Sequence, residues 1–148
     1  MLKLYTTSSE QTIALGKKIG SFLQKGDILA MQGTLAAGKT TITKGIAQSL
    51  EIDEPITSPT FTLISEYYGK LPLYHMDVYR LDGPEGFVDL GTDDLLYGDG
   101  ISIIEWSEKI MSELPKDVII IKLEVPSLDK PEERRITIEN WKYGELNV

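Results

Sequence analysis

The stretch from Gly33 to Thr40 reads GTLAAGKT and matches the phosphate-binding pattern GxxxxGK[ST] at every fixed position. Glycines at both ends allow a tight turn whose backbone N–H groups point at a phosphate chain. The ammonium of Lys39 would reach the β- and γ-phosphates, and the Thr40 hydroxyl is the expected Mg²⁺ ligand. The residues predicted to line the phosphates are Gly33, Ala36, Ala37, Gly38, Lys39, Thr40 and Thr41.

Both flanks of this loop agree with the motif. The apolar run 27–32 suits a buried strand, and residues 41–50 place Ile42, Ile46 and Leu50 at helical spacing. Strand, glycine loop and helix follow one another in the order that a phosphate loop requires. The alternative, a glycine-rich turn with a surface lysine, explains neither flank. The sequence therefore predicts a nucleotide-binding protein.

Composition predicts one domain over residues 1–148, with an ordinary 41% hydrophobic and 26% charged fraction. There is no cysteine, and neither a membrane-spanning run nor a signal peptide is visible, so we expect a cytoplasmic protein without membrane contact. The net charge of −8 opposes direct binding to nucleic acid. Any action on nucleic acid would then go through a partner.

The pattern of elements predicts an α/β fold with a mixed, partly antiparallel sheet and helices on both faces. Capping boxes at Thr7–Glu10 or Ser8–Gln11 would start a helix that reaches Gln24. Ser107 would cap a short helix to Leu114. The predicted strands are 2–5, 27–32, 61–67, 71–81, 101–106, 118–125 and 135–140, with a short helix after Pro84.

Hydrolysis needs acids as well as a phosphate loop, and two acids follow apolar runs at strand ends. Glu105 ends the run 101–104, as a Walker B acid would, and Asp77 ends the run 74–76. A surface carboxylate remains the alternative for each. The only histidine, His75, is more typical of a packed ring than of catalysis, and Trp106 is typical of a core or interface residue.

The order of these motifs resembles the TsaE (YjeE) family, the bacterial ATPases for threonylcarbamoyladenosine in tRNA. The segments that carry the resemblance are a capped helix with a threonine, GTLAAGKTT, SPTFTL, YHMDVYRL and IIEW, from about Ser8 to Trp106. The resemblance implies a P-loop NTPase fold, ATP and Mg²⁺ as cofactors, and TsaB and TsaD as partners. These partners would carry the tRNA, which the ATPase itself would meet only indirectly.

The resemblance also implies a role for each matching position. Thr40 and Glu105 would hold Mg²⁺, while Asp77 and Thr60 would complete the hydrolytic site beside Trp106. The nucleotide would further contact Ser8, Thr12 and Arg135, besides the loop itself.

Two loop positions depart from the family pattern GDLGAGKT, since Thr34 replaces the aspartate and Ala36 the second glycine. Binding should survive because the fixed positions remain, but the rate of hydrolysis is open. A small kinase and a non-catalytic nucleotide switch are the alternative functions. The chain shows no arginine-bearing lid of the kinase type and no NKxD guanine motif.

Overall fold

The computed structural model describes residues 1–33, 38–56, 64–81, 83–89 and 91–148. Seven strands in these ranges form one sheet, in the order β1-β7-β6-β2-β5-β4-β3. They are β1 (Leu2–Thr6), β2 (Ile28–Gly33), β3 (Ile64–Tyr68), β4 (Pro72–Asp77), β5 (Ile101–Glu105), β6 (Ile119–Glu124) and β7 (Arg134–Glu139). The helices are α1 (Ser9–Phe22), α2 (Lys39–Ser49), α3 (Pro84–Asp89) and α4 (Asp93–Leu96).

The predicted mixed sheet is confirmed. Strand β2 runs parallel to β5 and β6, and β4 runs parallel to β5. The outer pairs β1/β7, β6/β7 and β3/β4 are antiparallel. Because the carboxyl ends of parallel strands share one edge, the ends of β2, β4 and β5 open onto the same side as the start of α2.

Apolar side chains cover both faces of the central strands, as expected for strands buried on two sides. On one face Leu29 and Met31 of β2 pack with α1 and α2. On the other, Ile28 and Ala30 pack with Phe87 of α3 and Leu96 of α4. Because successive side chains of β2 point to opposite faces, α1 and α2 cover one face of the sheet and α3 and α4 cover the other.

Helices α1 and α2 approach each other closely through two glycines. A Cβ on Gly45 would lie 2.1 Å from the Ile13 carbonyl oxygen, and one on Gly16 would lie 2.3 Å from the Ile42 carbonyl oxygen. Neither position could hold a larger side chain without separating the helices. This packing brings the start of α1 beside the start of α2.

Two predicted boundaries are wrong. Strand β4 ends at Asp77 rather than at residue 81, because the Asp77 carboxylate accepts a hydrogen bond from Tyr79 N (2.9 Å) and turns the chain. Helix α1 ends at Phe22, since Leu23 is extended. Residues 61–63 of the predicted third strand lie outside the described residues.

The helix predicted from Ser107 to Leu114 is replaced by two 3₁₀ turns, Ser107–Lys109 and Met111–Glu113. The Ser107 hydroxyl donates to the Met31 carbonyl oxygen (3.2 Å) and so ties this segment to β2 instead of capping a helix. Helix α4 was not predicted. None of the helices in the described ranges is long and apolar enough to cross a membrane.

Candidate functional site

The side chain of Lys39 lies at the junction of the phosphate loop and α2. Gly38, in the left-handed conformation (φ 88°), precedes the helix, and Lys39 is its first residue. Lys39 is only 4% exposed, and its Nζ donates to the Gly33 carbonyl oxygen (3.0 Å). Burial lowers the pKa of Lys39, while the charge of Glu105 acts in the opposite direction. A buried ammonium therefore stands at the place where the motif expects phosphate.

Trp106 covers this ammonium. The residue directly after β5 adopts a left-handed conformation (φ 62°, ψ 34°), which is rare for a side chain of this size. Its indole ring centroid lies 3.8 Å from Lys39 Nζ, and the Tyr79 ring packs on it at 4.8 Å. The unusual backbone turn thus places an aromatic face at the lysine, a favourable site for a cation.

Asp77 and Glu105 end the neighbouring parallel strands β4 and β5 and are register partners. Side chains at paired positions lie on the same face of a sheet, so the two carboxylates are neighbours. Both oppose the lowering of the Lys39 pKa, Glu105 more strongly than Asp77. The structure therefore brings the two predicted acids to the predicted lysine.

Glu105 is the more buried of the two acids, at 4% exposure. Its Oε2 atom lies 2.8 Å from Nε2 of His75, a side chain on β4 that is itself fully buried. Sequence reasoning placed His75 in the core, as the structure confirms, but missed its contact with the acid. Alternation along β4 predicts that His75 and Asp77 share a face, but only the register with β5 shows that Glu105 lies on that face as well.

The side-chain oxygens at this edge of the sheet are suitable ligands for Mg²⁺. This ion takes one or two carboxylates and completes its shell with water and phosphate oxygens, so it does not need an all-protein cage. Thr40 lies in the first turn of α2, and Glu105 provides a buried carboxylate whose charge acts on Lys39. Within the described ranges no group of three or more His, Asp or Glu side chains is arranged to hold a metal.

The start of α1 lies next to the start of α2. Ser8 caps α1 by accepting from Gln11 N (3.1 Å), so the alternative Thr7–Glu10 capping box is not formed. The Thr12 hydroxyl donates to the Ser8 carbonyl oxygen (3.1 Å) and contacts Thr6 Oγ1 at 2.7 Å. Thr12 still lines a narrow cleft at this point, together with Ser9, Gly38, Thr41, Glu132 and Arg134.

Arg134, and not Arg135, lies at the phosphate loop. A Cβ built on Gly38 would stand 3.4 Å from Arg134 Nε. Arg135 points to the other face of β7, where its guanidinium pairs with Glu124 at 3.0 Å. Strand alternation gives the reason, because Ile136 and Ile138 pack with α1 and α2 and Arg134 shares their face. The same alternation, read from the sequence, would have selected Arg134.

Some predicted site residues cannot be placed. Thr60, Ala36 and Ala37 lie outside the described residues. The described part of the chain brings together Gly33, Gly38, Lys39, Thr40, Asp77, Glu105 and Trp106 at one edge, with Thr12 and Thr41 along the neighbouring cleft and Ser8 at the N-cap of α1. Arg135 does not join them.

The chain is similar to proteins of known family. The model of the family "Threonylcarbamoyl adenosine biosynthesis protein TsaE" matches residues 6–136. A "tRNA threonylcarbamoyladenosine biosynthesis protein TsaE" of Treponema pallidum is 47% identical over 124 residues, which cover 84% of this chain and 92% of that protein. The protein of the same description from Bacillus subtilis is 44% identical over 137 residues, or 92% of this chain and 84% of the relative.

A solved structure supports the same assignment. The crystal structure of Bacillus subtilis YdiB superposes with a TM-score of 0.76 at 41% identity and covers 93% of this chain and 83% of that one. The mixed sheet, with its phosphate loop between β2 and α2, is a P-loop fold. The sequence match, the shared fold and the site at the strand ends agree that the chain belongs to the TsaE family, whose role is tRNA threonylcarbamoyladenosine biosynthesis.

Proposed function

We propose that this protein binds and hydrolyses ATP with Mg²⁺ and, together with TsaB and TsaD, supports the formation of threonylcarbamoyladenosine in tRNA. The observation that carries the ATPase proposal is the position of Lys39. Its buried ammonium stands at the loop–helix junction, bonded to Gly33 and faced by Glu105 and Asp77 from two strand ends. This environment is not that of an ordinary surface lysine, and it suits a lysine that binds a phosphate chain.

Different residues of the chain bind the phosphates and the metal ion of ATP. The backbone N–H groups at the start of α2 receive the phosphates, and the helix dipole adds positive potential there. Lys39 exchanges its bond with the Gly33 carbonyl oxygen for bonds to the β- and γ-phosphate oxygens. Thr40 and Glu105 would hold Mg²⁺, which would supply positive charge to offset the negative charge of the phosphates.

Hydrolysis then depends on the position of one water. Asp77 lies beside Glu105 in register and half-buried, so it can orient a water and take up its proton. The new bond joins the water oxygen to the γ-phosphorus as the bridging bond to the β-phosphate breaks, which yields ADP and phosphate. Thr60 is proposed to assist from its loop, as the family resemblance implies.

The isolated protein should hydrolyse ATP slowly. Thr34 stands where the family loop has a carboxylate, and few cations are available to balance the charge that develops on the transferred phosphoryl group. An arginine or an ordering contact supplied by a partner is worth about 10³-fold or more in comparable enzymes. We therefore assign the stimulation of the reaction to the TsaB and TsaD partners.

Contact with tRNA is proposed to be indirect. The net charge of −8 repels a polyanion, so a partner in the complex must carry the RNA. A cytoplasmic location follows from the same proposal, since tRNA is modified there. Tight, salt-sensitive binding of tRNA by the purified chain would contradict it.

The test is to measure ATP and GTP hydrolysis by the protein alone and again with TsaB and TsaD. We expect ATP to be turned over well below about 10 s⁻¹ by the protein alone, and faster with both partners. Lys39→Ala should abolish the activity, while Lys25→Ala, at an exposed lysine beyond the end of α1, should not. Equal rates for wild type and Lys39→Ala would show that the site is assigned wrongly.

A further inference from the structure

The sole histidine of the chain forms a buried pair with the proposed metal ligand. His75 Nε2 and Glu105 Oε2 are 2.8 Å apart, and the two side chains are 0% and 5% exposed. They come from adjacent parallel strands, where His75 is the register partner of Ile103, two residues before Glu105. Both side chains therefore point to the same face, and the pair is built into the sheet rather than into a loop.

The hydrogen-bonding capacity of the two groups fixes the direction of the bond. An ionised carboxylate can only accept, so His75 Nε2 must carry the proton. The second ring nitrogen, Nδ1, is buried and has no hydrogen-bond partner among the described residues. Nε2 is therefore the nitrogen whose proton the hydrogen bond to Glu105 requires, while a proton on Nδ1 would be a buried donor without a partner among the described residues.

The same bond decides which oxygen of Glu105 is available. Oε2 accepts from His75, and no described residue donates to Oε1. The charge of Glu105 acts on Lys39 more strongly than that of Glu108 or Asp77, so the carboxylate lies near the Lys39 ammonium. The hydrogen bond thereby restrains a long, flexible side chain, with Oε2 bonded to His75 and Oε1 without a donor among the residues that the structure describes.

We propose that His75 is a positioning residue that fixes Glu105 so that Oε1 is presented to the Mg²⁺ of bound ATP. The inference rests on the proposed function, because it takes Glu105 as the metal ligand. Residues that hydrogen-bond to metal ligands typically change metal affinity by about 10- to 100-fold when they are replaced. The alternative is that His75 only fills space in the core.

Three substitutions at His75 separate these roles. His75→Gln can place an amide N–H close to the position of Nε2, His75→Asn is polar but too short to reach Glu105, and His75→Leu fills space without donating. Leu73→Ala is the matched control, since Leu73 is fully buried on the same strand and face but lies away from the acid. It reports the effect of a weakened β4 alone.

The first readout is the gain in ATP affinity that Mg²⁺ produces, measured by calorimetry with and without the metal. We expect this gain to fall by about 10-fold in His75→Leu and His75→Asn, to be largely restored in His75→Gln, and to be unchanged in Leu73→Ala. Metal-free binding of ATP should be the same in all four. An unchanged Mg²⁺ gain in His75→Leu, or an equal loss in Leu73→Ala, would overturn the proposal.

The second readout is nuclear magnetic resonance of the imidazole nitrogens, which needs no nucleotide and gives one set of signals because the chain has one histidine. We expect a proton on Nε2, protected from exchange in wild type and exposed to rapid exchange in Glu105→Ala. A proton on Nδ1 in wild type would overturn the proposal directly. A third outcome is that the Nε2 proton is found but the ATP affinity of the wild type does not respond to Mg²⁺. That outcome would contradict both the proposed function and the role of Glu105 as a metal ligand, and the His75–Glu105 pair would then be only structural.

Discussion

Two carboxylates are buried at opposite ends of the central parallel strands. Asp27 precedes β2 and is 8% exposed, while Glu105 ends β5 and is 4% exposed. Asp27 accepts from Gln24 N (2.8 Å) and from the Tyr143 hydroxyl (2.5 Å), and Lys142 Nζ lies 3.3 Å from its other oxygen. Within the described ranges the Glu105 carboxylate has a single hydrogen bond, from His75.

This difference in hydrogen bonding is what we expect between an acid that stabilises the fold, Asp27, and an acid that binds a ligand, Glu105. Burial of a charge is costly unless donors surround it, and Asp27 has donors on both oxygens. Glu105 is buried as deeply and lies near an ammonium that is also buried, but only one of its carboxylate oxygens has a hydrogen-bond partner among the described residues. Among the described residues, Asp27 thus has partners on both oxygens and the Glu105 carboxylate on one.

Removal of the charge of Glu105 should have the largest effect. Glu105→Gln keeps the shape but weakens the hold on a hard cation, so Mg²⁺-dependent hydrolysis should fall by about 10²- to 10³-fold. Stability and metal-free ATP binding should change little. The check is a magnesium titration of the hydrolysis rate, with Glu113→Gln at an exposed acid as control. Equal activity across the titration would move the metal role to Asp77 or elsewhere.

Lys39→Met removes the buried ammonium and keeps the length of the side chain. ATP affinity should fall by about 100-fold, because charge-assisted bonds to the phosphates are lost. The unfolding midpoint in urea should not fall, because the substitution removes the free-energy cost of burying the ammonium. That same burial is what lowers the pKa of Lys39. Calorimetry and urea unfolding measure the two quantities, with Lys25→Met as control. A clear loss of stability would mean that Lys39 is a structural cation, and the contrast with Asp27 would fail.

The donor-rich acid should behave in the opposite way. Asp27→Asn disturbs three contacts at the amino end of β2 and should cost about 1–3 kcal/mol of unfolding free energy. ATP hydrolysis at a temperature where the variant is folded should be unchanged. Asp99→Asn, at an exposed position nearby in sequence to β5, should alter neither. Loss of activity without loss of stability in Asp27→Asn would contradict the comparison.

The smallest effect is expected from Tyr143→Phe, at about 1 kcal/mol. Burial, and then the hydrogen bond to Asp27, raise the pKa of Tyr143 above its ordinary value of 10.0. A raised pKa contributes stability that is complete below about pH 10 and is lost as the pH rises through the folded-state pKa. Urea midpoints between pH 8 and 11 should show this decline in wild type and a weaker one in Tyr143→Phe. Tyr97→Phe, at an exposed tyrosine, should leave the decline intact.

Local patterns were sufficient for the elements of the site. The fixed glycines, Lys39 and Thr40 of the loop, the apolar run before it and the helix after it determine a strand–loop–helix unit by sterics and hydrophobic spacing alone. The same spacing predicted the mixed sheet, because hairpins late in the chain require antiparallel pairs. The predicted element boundaries were wrong where a single side chain redirected the backbone. The Asp77 carboxylate turns the chain at the end of β4, and the Ser107 hydroxyl bonds to β2 instead of capping a helix.

What only the tertiary structure decided is which side chains meet. Register places His75 beside Glu105 and the alternation of β7 places Arg134, not Arg135, at Gly38; both depend on pairing between strands distant in sequence. The left-handed turn at Trp106, which brings its ring to Lys39, likewise depends on how β5 and α2 pack. The sequence by itself determined that a phosphate loop and two strand-end acids exist, since these follow from local sterics and periodicity. Their mutual geometry follows from long-range contacts, which no local pattern contains.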